Sequence, residues 1–276
     1  MQLKVSSART DVIRINRGRT GECRAAVRAS VFLASLLLLA AVGVRAARAS
    51  GETDVLAAMA RFDRAYIPAL SLSNQGKRGQ TGKAMARLQD EWGRFRDEYG
   101  SYAGDRRWQE ALRRVGDALS EAAAYLERGE LPKTHEALEG VRDVFLGLRE
   151  ERSMDYYIDY LNRYHETMED VLRAAGEAGA EGLDQARKTT IAVLEGEART
   201  RWEALSGTDF DPSLFGFDGE KTKELGKAVA AIGKSLDVLR AALCEKNSEA
   251  AVKASLGLRA PYVKAFLMFG DFAGLE

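Results

Sequence analysis

Histidine, cysteine and proline are scarce in this chain, and each shortage closes off a class of chemistry. Two histidines, His135 and His165, and two cysteines, Cys23 and Cys244, stand among 276 residues. That leaves little material for a nucleophile–base–orienter triad. The C-x-x-C-H attachment motif is absent, which excludes a covalently held c-type haem. Only four prolines interrupt the chain. No segment alternates valine, isoleucine and aromatics with period two, so strands are not expected. The apolar run Val31 to Val44 holds fourteen residues without a charge, short of the roughly 20 needed to span a bilayer.

That run has a different meaning in context. It follows a basic stretch (Lys4, Arg9, Arg14, Arg17, Arg19, Arg24, Arg28) and precedes Ala47-Arg48-Ala49, a small-x-small cleavage pattern. Basic region, short apolar core and cleavage site predict a secretory signal peptide over 1–49 and a periplasmic location for the remainder. Removal of 1–49 takes nine basic and two acidic residues from 41 of each, leaving 32 against 39 and a net charge of −7. An acidic exported domain is not a nucleic-acid binder by charge, and no membrane span is expected after cleavage. Cys244 alone remains, so no intramolecular disulfide forms and the core must hold the fold.

The remainder is rich in Ala, Leu, Glu and Arg, all good helix formers. Apolar residues at helical spacing predict eight helices, over about 53–72, 80–99, 105–128, 132–150, 154–176, 182–206, 219–245 and 248–270, the last kinked at Pro261. Between the sixth and seventh lies "GTDFDPSLFGFDG", a long loop with three phenylalanines. The other loops are short, so neighbouring helices run antiparallel. The fold class predicted is all-α, as two tandem antiparallel four-helix bundles over 50–152 and 153–276. At an offset of 117, Gly116, Leu119, Ala124, Leu126, Ala137, Gly140 and Arg142 match Gly233, Leu236, Ala241, Leu243, Ala254, Gly257 and Arg259 without a gap, which points to an internal duplication. Trp92 and Trp202 pair at a different offset, as a change of loop length would produce.

Three groups of residues are candidates for function. "HETME", residues 165–169, is one letter from the zinc-protease signature H-E-x-x-H. On a helix His165 and Glu169 share a face and can reach one metal ion. Antiparallel helices five and six place His165 level with residue 193, which makes Glu195 or Glu197 the candidate third ligand. The plain alternative is a histidine beside carboxylates on a solvated face. Arg142 and Arg259, at matching places in the two halves, are candidates for an anionic ligand or a protein partner, or else ion-pair partners with packed stems. Tyr157 and Tyr160, in "MDYYIDYLNRY", suit a partner surface or the packing seam between halves. Pairs of axial ligands for a non-covalent haem (Met59 with His135, Met268 with His165) miss one another by about nine residues, roughly 13 Å.

An exported, alanine-rich helical chain with A-L-E-G-V-R in its fourth helix resembles periplasmic four-helix-bundle proteins of the cytochrome c-prime kind. The resemblance implies a bundle architecture. With C-x-x-C-H missing, it carries no haem ligand onto any position here. Together these features predict a non-enzymatic periplasmic protein that binds a protein partner or small ligand. The alternative is a metal-handling protein using a divalent ion at His165, and a metal-dependent hydrolase on H-E-x-x-E is the third.

Overall fold

The computed structural model describes residues 53–176, 183–245 and 247–276. The expected leader and its cleavage site lie outside the described residues. The described chain is helical, with no strand in it. Helix α1 covers 53–74, α2 Arg78–Tyr99, α3 Arg106–Glu127, α4 Leu131–Glu151 and α5 Tyr157–Gly176. They are followed by α6 Gln185–Gly207, the single turn α7 Pro212–Phe215, α8 Gly219–Cys244, α9 Ser248–Leu256 and α10 Arg259–Leu267.

Short acids and an amide start α3, α6, α7, α8 and α9, because their side-chain oxygens satisfy backbone N–H groups that the first turn leaves free. Asp105 accepts from Trp108 N at 2.6 Å, Asp184 from Arg187 N at 2.7 Å and Asp218 from Lys221 N at 2.8 Å. Asn247 accepts from Glu249 N and Ala250 N. The expected last helix is two. It breaks at Gly257 and Leu258, and Pro261 sits in the first turn of α10, where its missing N–H costs nothing. The phenylalanine-rich loop folds inward: Phe210, Phe215 and Phe217 pack on one another, on Phe269, and on Tyr157 through Phe210 at 4.8 Å.

Pro68 stands inside α1 and deprives the Arg64 carbonyl of its helical partner. A segment distant in sequence restores the bond, with Asp271 N donating to Arg64 O at 2.8 Å. Gly270 permits that approach, since a Cβ there would lie 3.0 Å from Ile67 and 3.1 Å from Pro68. Lys83 and Arg87 of α2 clamp the same tail through the carbonyls of Glu276 and Ala273.

Helices α1–α4 form one four-helix set and α5, α6, α8 and α9–α10 a second. In the first, Arg61 of α1 pairs with Glu91 and Glu98 of α2, and Tyr66 of α1 donates to Leu138 O of α4 at 2.8 Å. In the second, α5 packs on α6, α9 and α10, and α8 on α6, α9 and α10. In each set a tryptophan of the second helix faces a glycine of the third, Trp92 against Gly116 and Trp202 against Gly233. The two sets share one continuous buried cluster, and the described residues make one compact unit. Their seam is polar as well as apolar. Buried Arg149 of α4 holds buried Asp159 of α5 through two bonds, 2.7 and 2.5 Å, and Tyr156 donates to Asp63 of α1 at 2.6 Å. Burial drives the Asp63 carboxyl up to about 6, against the opposing pull of Arg149.

Candidate functional site: a cleft between two histidine–glutamate pairs

The seam opens at one place into a cleft bounded by α1, α4, α5 and α10. Its inner part is a cavity of about 120 Å³ walled mainly by Leu70, Met168, Tyr262, Phe266 and Leu267. Its outer part is a polar mouth of about 500 Å³ reaching Glu166, Asp170 and Arg173. His135, Glu139, Arg142, His165, Glu169 and Arg259 border both parts. The two histidines of the chain therefore meet at one site.

Helical spacing explains the convergence. His135, Glu139 and Arg142 fall at i, i+4 and i+7 on α4 and share a face; His165 and Glu169 do the same on α5. His135 Nε2 is 3.8 Å from Glu139 Oε1, and His165 Nε2 is 3.5 Å from Glu169 Oε1. Each glutamate also faces an arginine, Arg142 to Glu139 at 3.5 Å and Arg259 to Glu169 at 2.9 Å. The site is thus two like His–Glu–Arg groups, with one arginine drawn from α10.

The two groups differ in tightness. Glu169 is firmly committed: the hydrogen bond from His165, then Arg259, hold its carboxyl at about 2 in spite of burial. His165 stacks on Tyr262 with ring centroids 4.9 Å apart, and its Nδ1 is buried with no partner. Burial pushes the Tyr262 phenol well above its ordinary range. On the α4 side the arginine contacts are long. Arg142 Nε reaches Asp143 at 3.3 Å and its terminal nitrogen reaches Glu139 at 3.5 Å, although only 11% of its side chain is exposed. His135 Nδ1 lies 3.0 Å from the Leu70 carbonyl. As a donor to that carbonyl it leaves Nε2 as the ring's free lone pair in the neutral form.

Compared with known protein-family models, curated proteins and solved structures, the chain matches none. The cleft is therefore read from its own chemistry.

Of the residues singled out in the sequence, His165, Glu169, Arg142 and Arg259 come together here. Arg142 and Arg259 do not serve separate matching sites in each half; they border one cleft. Glu195 does not join them. It is buried on α6, with Arg199 on one carboxylate oxygen at 2.9 Å and Arg240 on the other at 3.1 Å. Two guanidinium groups occupy the oxygens a metal would need. Among the described residues no three His, Cys, Asp or Glu side chains stand close enough to hold one ion. Tyr157 is buried in the phenylalanine cluster. Tyr160 is half-buried, donates to Asp155 at 3.0 Å and lies under Arg163. Both belong to packing around the seam rather than to the cleft. His135 and Glu139 are the members that sequence reasoning missed. The signal was present: residues 135–139 read H-E-A-L-E, a second H-E-x-x-E thirty positions before the first.

Proposed function

We propose that the chain is an exported, non-enzymatic helical protein that binds a small ligand in the His–Glu–Arg cleft. The observation that carries this reading is Arg142: a largely buried guanidinium with five donors, served by two long bonds, at the wall of an apolar cavity. A buried charge so poorly matched costs stability unless something completes its bonding. An apolar recess with a few convergent polar groups is the usual form of a small-molecule site. Its size favours a small ligand over a protein segment. A thermal-shift screen of small metabolites against the native protein and a Ser71→Phe variant tests it. Ser71 sits half-buried at the cavity rim, so phenylalanine there closes the recess. A ligand at 100 times its Kd adds about 2.7 kcal/mol to the native protein. The screen should yield compounds that stabilise the native protein and not the variant; none that separates the two would end the reading. Among the described residues no helix is long and apolar enough to cross a membrane. The periplasmic assignment rests on the leader sequence, and N-terminal sequencing of the native protein should begin at or within a few residues of Ser50.

One observation favours metal handling as a second reading, namely the pairing of two H-E-x-x-E stretches in one cleft. Against it stand Arg142 and Arg259, whose positive charges oppose a cation, and the close grip of Arg259 on Glu169 at 2.9 Å. A stoichiometric divalent metal in the native protein, lost in both His135→Ala and His165→Ala, would put this reading first.

A further inference from the structure

Granted the ligand-binding reading on which it rests, we infer that the ligand is a small carboxylate with a compact apolar body, its carboxylate held by Arg142 and its apolar part seated in the cavity of Leu70, Met168, Tyr262 and Phe266. Comparison among the arginines makes the case. Arg149 grips Asp159 at 2.7 and 2.5 Å, and Arg259 grips Glu169 at 2.9 Å. These are the lengths expected of charge-assisted bonds. Arg142 is less exposed than Arg259, 11% against 55% of the side chain, yet its ion pairs run at 3.3 and 3.5 Å. The planar fork matches a carboxylate with two parallel bonds. Met168 is fully buried and Phe266 nearly so, and they present no polar atom to the recess. A hydrocarbon part of the ligand therefore gains by entering it.

Charged groups of both signs surround the cleft. Helix α1 contributes only Leu70, Ser71 and Asn74, none of which titrates. Helix α4 supplies His135, Glu139 and Arg142; α5 supplies His165, Glu166, Glu169, Asp170 and Arg173; α10 supplies Arg259 and Tyr262. Three arginines thus face four carboxylates and two imidazoles.

The test is titration of the native protein with hexanoate, hexylamine and hexanol in turn, read by calorimetry and by the Met168 methyl signal in methionine-labelled spectra. Hexanoate should shift Met168 and bind at least tenfold more tightly than the other two. Arg142→Met should weaken hexanoate at least tenfold and leave hexanol unchanged, while Ser71→Phe, which removes no ion pair, should abolish both. Hexylamine or hexanol binding as tightly as hexanoate, with the same Met168 shift, overturns the carboxylate class and leaves a ligand site standing. Hexanoate affinity unmoved by Arg142→Met also overturns it. Binding of none of the three overturns this inference and the small-ligand reading together. Zinc uptake that requires both histidines replaces them with the metal reading.

Discussion

Gly116 and Gly233 occupy the same place in the two helical sets, and the same substitution at each should change stability in opposite directions. A Cβ at Gly233 would lie 2.3 Å from Trp202 Cζ2, 2.7 Å from Cε2 and 2.8 Å from Cη2. Carbon atoms rest at about 3.5–4.0 Å, so the indole must retreat by about 1 Å. It is not free to do so. Its N–H donates to Val229 O at 2.9 Å, one turn earlier on the same helix, so withdrawal stretches that bond. Overpacking of this kind costs about 1–3 kcal/mol, the hydrogen bond is worth about 1 kcal/mol, and alanine returns about 1 kcal/mol of helix propensity. Gly233→Ala should therefore destabilise by about 1–3 kcal/mol. At Gly116 the nearest atom to a Cβ is Trp92 Nε1 at 3.6 Å, an ordinary contact. Gly116→Ala keeps the propensity gain and should stabilise by up to about 1 kcal/mol. Each kcal/mol moves Tm by about 2–4 °C in a body of this size. Urea unfolding followed by far-ultraviolet circular dichroism, which does not depend on the tryptophans, measures both. Placing Gly233→Ala in a Trp202→Leu background should remove most of the penalty, as coupling between contacting residues demands. Equal effects at the two glycines, or a penalty at Gly233 that survives loss of the indole, would refute the steric account.

At the seam, Arg149→Leu strands buried Asp159 without its partner and should cost about 3–5 kcal/mol, with much of the loss recovered in Arg149→Leu/Asp159→Leu; urea unfolding of the three variants decides it. Asp63 adds a pH dependence of defined sign. Its carboxyl is raised from 3.8 to about 6, so the folded state binds the extra proton and stability falls as pH rises through that window. At about 1.4 kcal/mol per unit the span is about 3 kcal/mol at most, since the group is only partly shielded and lies beside Arg149. Asp63→Asn should flatten unfolding free energy between pH 4 and 7, and a slope unchanged from the native protein would remove Asp63 as its source. Glu169 acts in the opposite sense, its lowered value supplying stability above its ordinary 4.5 that is lost as pH falls toward 2. Glu169→Gln should therefore make the protein less sensitive to acid in that lower range, as followed by acid titration of the circular dichroism signal.

Much of the helical layout was legible because its signals are local. Asp105, Asp184, Asp218 and Asn247 write helix starts in the sequence, and apolar periodicity writes their buried faces. The break in the last helix was placed at Pro261, but Gly257 and Leu258 form it, because proline in a first turn needs no repair and only the turn residues must leave the helix. That α1 runs through Pro68 was expected, since its helical pattern continues to residue 72, but what repairs the proline was not. Its compensation comes from Asp271, and a hydrogen bond between such distant positions has no local trace. The site divides in the same way. That His165 and Glu169 share a face follows from spacing. Their neighbours were sought by matching levels on antiparallel helices, which fixes height along the axis and says nothing of rotation about it. Glu195 is turned toward Arg199 and Arg240, and the true neighbours come from α4, whose H-E-A-L-E repeats the pattern.

The repair at Pro68 also bears on the order in which the chain can be completed. Helix α1 is synthesised before its neighbours, yet its Arg64 carbonyl finds its partner in Asp271, and Gly270 packs close on Ile67 and Pro68. Until that segment arrives, the first helix is an unfinished one, hydrated at its middle where the finished protein is sealed. The same segment is clipped to α2 by Lys83 and Arg87, so it joins two early helices at once. Cutting the chain just before Gly270 would thus be felt at residues 64–68, reopening the middle of the first helix to water and leaving the rest of that helix intact.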